Sequence, residues 1–191
     1  MKIQILKPDP SKIIRWAKGT SQELFIYPST SVFQKRDFLF RISLATVEAE
    51  TSDFTPLPGV QRTLMLLKGK HTLTHQGCHT KQLSPFDQDS FEGGWHTSSE
   101  GQAINFNLMC RPGASGKVKH IKGNAEEMLT FNLQDDFTMI YLYSGKAKIE
   151  NKNFESGESL IVEKGNQLKL MCVEASDMIL TSIQFILTSP K

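Results

Sequence analysis

The 191-residue sequence has no apolar run approaching the ~18 residues of a membrane-spanning helix, so no transmembrane segment is expected. It has only three cysteines, Cys78, Cys110 and Cys172, and no CxxC pair. A zinc ribbon or thioredoxin-type centre is therefore excluded. The three thiols read as small buried hydrophobes in a reducing, cytoplasmic setting. The opening segment MKIQILKPDPSK lacks the apolar stretch of an export signal, and no leader is expected. Charge of either sign is not in excess: 22 Lys and Arg stand against 20 Asp and Glu, a net charge of +2. Nucleic-acid binders concentrate basic charge, so no such partner is expected. The small cluster Lys117, Lys119, His120 and Lys122 reads as a solvated face.

Catalytic signatures are also missing. No GxSxG elbow and no glycine-rich phosphate loop occurs. Asp135-Asp136 and Glu126-Glu127 are adjacent pairs, and neighbours on a strand face opposite ways. There are five histidines, none in a His-x-His pair and none after His120. His71, His75 and His79 recur at spacing four, about 13 Å apart along a strand, too far for one ion. Gly77 nevertheless signals a turn that brings Cys78 and His79 back towards His75. An exposed polar hairpin is the favoured reading there. No catalytic residue, metal or cofactor is expected.

What is present is a succession of short strands. Arg41 to Val47 and Ile104 to Met109 alternate with period two, and Thr63 to Leu67 is a short apolar run. Further runs cover 137–143, 146–150, 159–162, 169–173 and 178–187, punctuated by Gly, Pro, Asn or Asp. The only helical signal is a weak turn at Asn124–Met128. Such spacing indicates an all-β sandwich or barrel. A loose repeat sharpens this: Leu66-Leu67-Lys68-Gly69-Lys70 resembles Leu142-Tyr143-Ser144-Gly145-Lys146. Phe154 to Val162 then resembles the turn into a strand that small cupin barrels use. The expected architecture is a bicupin, two tandem cupin-like β-barrels or sandwiches with little helix. Residues 1–112 form the first half, with the pocket, and 113–191 the second, a scaffold.

Several polar residues lie where a barrel wall is usually apolar. Arg41 and Ser43 share a strand face, as do Asn105 and Asn107, and Arg62 opens an apolar strand. Buried, they need hydrogen-bond partners, and a carboxylate satisfies an arginine bidentately. The competing reading puts both arginines on the outer face or pairs them with Glu23 or Glu48.

Four segments, in order, resemble the HutD/Ves family of small bicupins. They are Trp16-Ala17-Lys18-Gly19-Thr20-Ser21-Gln22-Glu23, Phe40-Arg41-Ile42-Ser43-Leu44-Ala45-Thr46-Val47, the stretch from Phe54 through Pro58-Gly59 to Arg62-Thr63-Leu64, and Asn105-Phe106-Asn107-Leu108-Met109 with Arg111. Phe40 and Asn105 stand where that family usually has Trp and Asp, and Phe91-Glu92-Gly93-Gly94 lacks the acid that often closes its turn. The resemblance implies a pocket for a small acidic metabolite, such as urocanate or a formylated glutamate, in members associated with histidine utilisation or stress. It implies that Arg41, Ser43, Arg62, Asn105 and Asn107 line this pocket, with Trp16 and Glu23 at its edge. The resulting expectation is a cytoplasmic, non-catalytic binder of a small carboxylate metabolite. One alternative is a metal-dependent isomerase or dioxygenase using His75, His79 and an acid. The other is a homodimeric scaffold whose Phe131, Phe137, Tyr141 and Tyr143 pack outwards.

Overall fold

Burial follows period two along many strands, the pattern of sheets with one covered face. In His71–His75 the first, third and fifth residues are buried; in Lys146–Ile149 the second and fourth are. The computed structural model describes residues 2–163, 165 and 167–186. Its regular structure is almost entirely strand, with 3-10 turns at Pro10–Lys12 and Phe33–Lys35 among the described residues. Asn124 to Met128 is a tight turn and not helical, because Glu126 takes a positive φ of 63° and the Glu127 carboxylate accepts from the Asn124 amide.

The strands form two units, each a pair of sheets. One unit spans residues 9–115 and takes in Ile186, whose amide donates to the Gly113 carbonyl. Its six-stranded sheet runs, side by side, Ile13–Trp16, Gly19–Tyr27, Phe40–Val47, Ala103–Cys110, Gln61–Gly69 and Gln88–Glu92. Its four-stranded sheet runs Thr51–Asp53, Thr97–Glu100, His71–His75 and His79–Leu83. Leu64 and Leu66 from the first sheet meet Leu73 and Leu83 from the second, with Phe91 and Ala103 completing the core.

The other unit joins residues 1–8 to 116–185. Its five-stranded sheet runs Lys2–Leu6, Ser159–Glu163, Phe137–Ser144, Ser176–Phe185 and Ala114–Gly123. Its four-stranded sheet runs Met128–Asn132, Gln167–Cys172, Lys146–Ile149 and Lys152–Glu155. The strand at the start of the sequence thus pairs with residues far along the chain. Leu187, read above as the end of the last strand, lies outside the described residues. Ile140, Leu142, Phe154, Leu160 and Leu170 are fully buried between the two sheets. Phe131, Phe137 and Tyr141 are buried as well, and Tyr143 is half-buried, so the first three do not pack outwards as the scaffold reading required. Burial of that much aromatic surface is worth more inside than on a face left to water.

The sequence repeat has a geometric cause. At Gly69 the chain leaves the six-stranded sheet and enters the four-stranded one. Its φ of +96° suits glycine, and a Cβ there would fall on the Gln102 carbonyl oxygen. Gly145 makes the same crossing in the other unit, with φ +89° and the Ala175 carbonyl and Ser176 hydroxyl against it. Each unit therefore turns a corner between its sheets on a glycine. The sheets do not close into barrels; they face one another as sandwiches.

Cys110 and Cys172 are buried as expected, but Cys78 is exposed, because it sits in the hairpin turn after His75. Burial pushes the Cys110 thiol up to about 12, so it stays protonated and inert.

Candidate functional site

A cavity of about 320 Å³ opens over the central strands of the six-stranded sheet. Strand register lays out its floor. Met109 pairs with Arg41 on one side and Arg62 on the other, and Asn107 pairs with Ser43 and Leu64. Asn105 follows two residues along, opposite Ala45. A period of two puts all of these on one face. Arg41, Ser43, Arg62, Asn105, Asn107 and Trp16 all line the cavity. Glu23 does not line it; its carboxylate holds Arg41 instead, Oε2 accepting from Nε at 2.9 Å. A strand irregularity between Glu23 and Phe25 turns this side chain towards Arg41.

The walls come from segments without a strand period, although Phe54 and Leu57 fall within the third family-like stretch. Phe33 comes from the second 3-10 turn, and Phe54 and Leu57 from the segment after Thr51–Asp53. Phe33 stacks under the Arg41 guanidinium at 4.2 Å, and Phe54 and Phe91 flank that of Arg62 at 4.9 and 5.2 Å. Asp53 reaches the rim, but its side chain is 84% exposed and turns to Lys18 at 3.5 Å.

The two arginines differ in their partners. Arg41 is bonded to Glu23 and donates to Ser43 Oγ at 3.1 Å. Arg62 is buried, has no ion pair among the described residues, and its Nε has no hydrogen-bond partner. Burial and then the nearby Arg41 charge pull its pKa down to about 10, which still leaves it charged at neutral pH. Of the two guanidiniums only that of Arg41 has a carboxylate among the described residues, and the site holds an uncompensated positive charge.

Asn105 is partly committed elsewhere. Its Oδ1 is 3.1 Å from His71 Nδ1, while His71 Nε2 is buried without a partner. Burial lowers the His71 pKa, and the Asn105 bond opposes that only in part. The folded chain then binds fewer protons than the unfolded chain below the ordinary histidine pKa. Unfolding free energy should accordingly fall as pH drops through about 6.5 towards 5. Urea unfolding at pH 7.5, 6 and 5 checks this; His71→Gln should flatten the slope, and an unchanged slope would remove His71 from the account.

The turn after the first sheet corner also closes differently from expectation. Glu92 itself supplies the acid, its two oxygens accepting from the Gly59 and Gly94 amides at 2.8 and 2.7 Å.

The hairpin that Gly77 signals is present, but it is not exposed throughout: His71 and His75 are buried. His75 and His79 are not separated along one strand; the hairpin register sets them directly opposite each other, with ring centroids 4.6 Å apart. Asp89 joins them from the edge strand of the other sheet. Its Oδ2 lies 3.2 Å from His75 Nε2 and 2.9 Å from His79 Nε2. Asp89 carried no motif in the sequence; its only signal was its place two residues before the buried Phe91. Burial pushes its carboxyl pKa up, but the two histidine bonds outweigh that and the net shift is down. The basic cluster behaves as a solvated face: Lys117, Lys119 and Lys122 are exposed, and His120 bonds Asp177 at 2.8 Å.

Comparison with solved structures supports the fold. A conserved protein of unknown function from Pseudomonas aeruginosa PAO1 superposes with a TM-score of 0.78 at 16% identity, covering 96% of this chain and 100% of that one. HutD from Pseudomonas fluorescens SBW25 gives 0.76 at 18% identity, over 97% and 100% of the two chains. The bacterial pirin YhhW from Escherichia coli, in complex with nickel(II), gives 0.75 at 10% identity, over 97% and 100%. No curated protein matches the sequence. The family model of HutD matches residues 11–180. With that match spanning both units, the chain belongs to the HutD family.

Proposed function

We propose that the chain binds a small metabolite carrying a carboxylate and a flat or apolar body, and that binding, without catalysis, is its role. The observation that carries this is the buried Arg62 guanidinium, which has no anion of its own beside an arginine already paired. A carboxylate between them completes the charge balance, and a planar guanidinium offers it a fork of donors. Ser43, Asn105 and Asn107 supply shorter polar contacts along the same face. Trp16, Phe33 and Phe54 favour a flat remainder, and a cavity of about 320 Å³ limits it to a small molecule. Of the acids that the family resemblance implies, urocanate, a flat monocarboxylate, fits that class; formylated glutamate, a flexible dicarboxylate, does not. Three thiols outside any disulfide support a cytoplasmic location. No helix among the described residues is long and apolar enough to cross a membrane.

Thermal unfolding with a panel of small acids and their matching amides tests the reading. A ligand at 100 times its Kd stabilises by about 2.7 kcal/mol. Flat monocarboxylates should raise the Tm and their amides should not. Equal response to acid and amide, or to neither, would sink it.

A further inference from the structure

We propose that His75, His79 and Asp89 form a binding site for one divalent transition-metal ion, zinc above all, separate from the arginine cavity. Their ligand atoms all lie within 4.8 Å of one another. A tetrahedral zinc ion with bonds of roughly 2.0–2.1 Å sets its ligands about 3.3 Å apart. The separations from Asp89 Oδ2 to His75 Nε2 and His79 Nε2, 3.2 and 2.9 Å, are close to that edge. Two imidazoles and one carboxylate are a donor set that suits zinc, and they leave a fourth position open.

The supporting contacts match the task. His75 is buried, its ring set between Phe91 at 4.4 Å and Trp95 at 5.6 Å. Its Nδ1 faces Thr97 Oγ1 at 2.8 Å, which orients the ring and aims Nε2 at Asp89. Metal-bound histidines characteristically have their second nitrogen anchored in this way. The other Asp89 oxygen, Oδ1, accepts from the Ser90 amide at 3.0 Å. Lys81 lies 4.0 Å from Oδ1 and is tied to the Gln88 carbonyl at 2.8 Å, so it stands away from the oxygen that the histidines share. His79 is 40% exposed and provides the entry.

The site also has a structural purpose. His79–Leu83 is the edge strand of the four-stranded sheet, and Gln88–Glu92 is the edge strand of the six-stranded sheet. An ion held by His79 and Asp89 fastens these two edges across the seam that the sandwich leaves open.

The test uses the full chain without a polyhistidine tag, in a Cys78→Ser background so that the exposed thiol does not compete. After chelator treatment it is titrated with zinc chloride by calorimetry and with cobalt(II) by visible absorption. One zinc per chain is expected, with a higher Tm and the cobalt bands of tetrahedral coordination. His79→Ala and Asp89→Asn should each weaken zinc binding by at least about 100-fold, the upper range for loss of even an outer contact. His96→Ala, an exposed histidine outside the group, should bind as the parent does. His79 is at the surface, so its loss leaves the fold intact. No zinc uptake at micromolar concentration, or uptake unchanged by His79→Ala, overturns the proposal; neither result touches the arginine cavity.

Discussion

Arg62→Met should cut the rise in Tm that flat monocarboxylates give the wild-type chain by half or more, while leaving the ligand-free protein as stable or more so. The methionine keeps an apolar stem between Phe54 and Phe91, where the guanidinium now lies. It removes a charge that is buried without an ion pair and repelled by Arg41. Loss of a hydrogen bond to a charged group costs about 1.5–3 kcal/mol, so affinity should fall roughly 10- to 150-fold. A merely structural arginine predicts the opposite pattern: lower stability and an unaltered ligand response. Glu23→Gln supplies the contrast. It takes away the only carboxylate paired with Arg41 among the described residues, so the ligand-free protein should lose stability and the response to carboxylates should persist. Calorimetric titration of both variants with one responding acid decides. If Arg62→Met binds as wild type does, the anion sits elsewhere.

Gly69→Ala should destabilise its unit by at least about 2 kcal/mol, a large share of ordinary domain stability. Two costs combine. The residue holds φ +96°, a conformation that costs an L-residue about 1–2 kcal/mol. The added Cβ also meets the Gln102 backbone, which cannot swing aside as a side chain would. Gly145→Ala should cost a comparable amount in the other unit, since its Cβ meets the Ala175 backbone. Urea unfolding monitored by circular dichroism measures both. A change below about 0.5 kcal/mol at either corner, the range of an ordinary surface substitution, would show that the corner flexes freely.

Much of the cavity floor was readable in the sequence because it depends on one rule. Alternation along Phe40–Val47 and Ala103–Cys110 puts Arg41 with Ser43 and Asn105 with Asn107, whatever the tertiary arrangement. That Arg41 would meet Glu23 was legible only as one option among several. The choice depends on a strand irregularity that no residue pattern announces. The walls lie outside that rule. Phe33, Phe54 and Leu57 come from irregular segments, where periodicity has nothing to say. The hairpin of the histidine group was legible from Gly77, but the burial of His71 and His75 was not. A hairpin turns a separation of four into direct opposition, and Asp89 arrives from a different sheet. The glycine repeat, by contrast, marks the same corner in both units from the residues alone.

The pairing of Lys2–Leu6 with Ser159–Glu163 has a consequence for synthesis. Ile5 lies opposite Leu160, and so waits about 155 residues for its neighbour. The strands of the unit spanning residues 9–115 are all complete well before that point. From residue 115 to the arrival of Leu160 takes roughly 45 additions, or about 2–9 s at 5–20 residues per second. Throughout that interval the nascent chain trails an unpaired strand whose Ile3 and Ile5 are destined for a core not yet made. Such a strand is an open template for pairing with another chain. Translation speed through residues 116–163 therefore sets how long each molecule is exposed to misassembly.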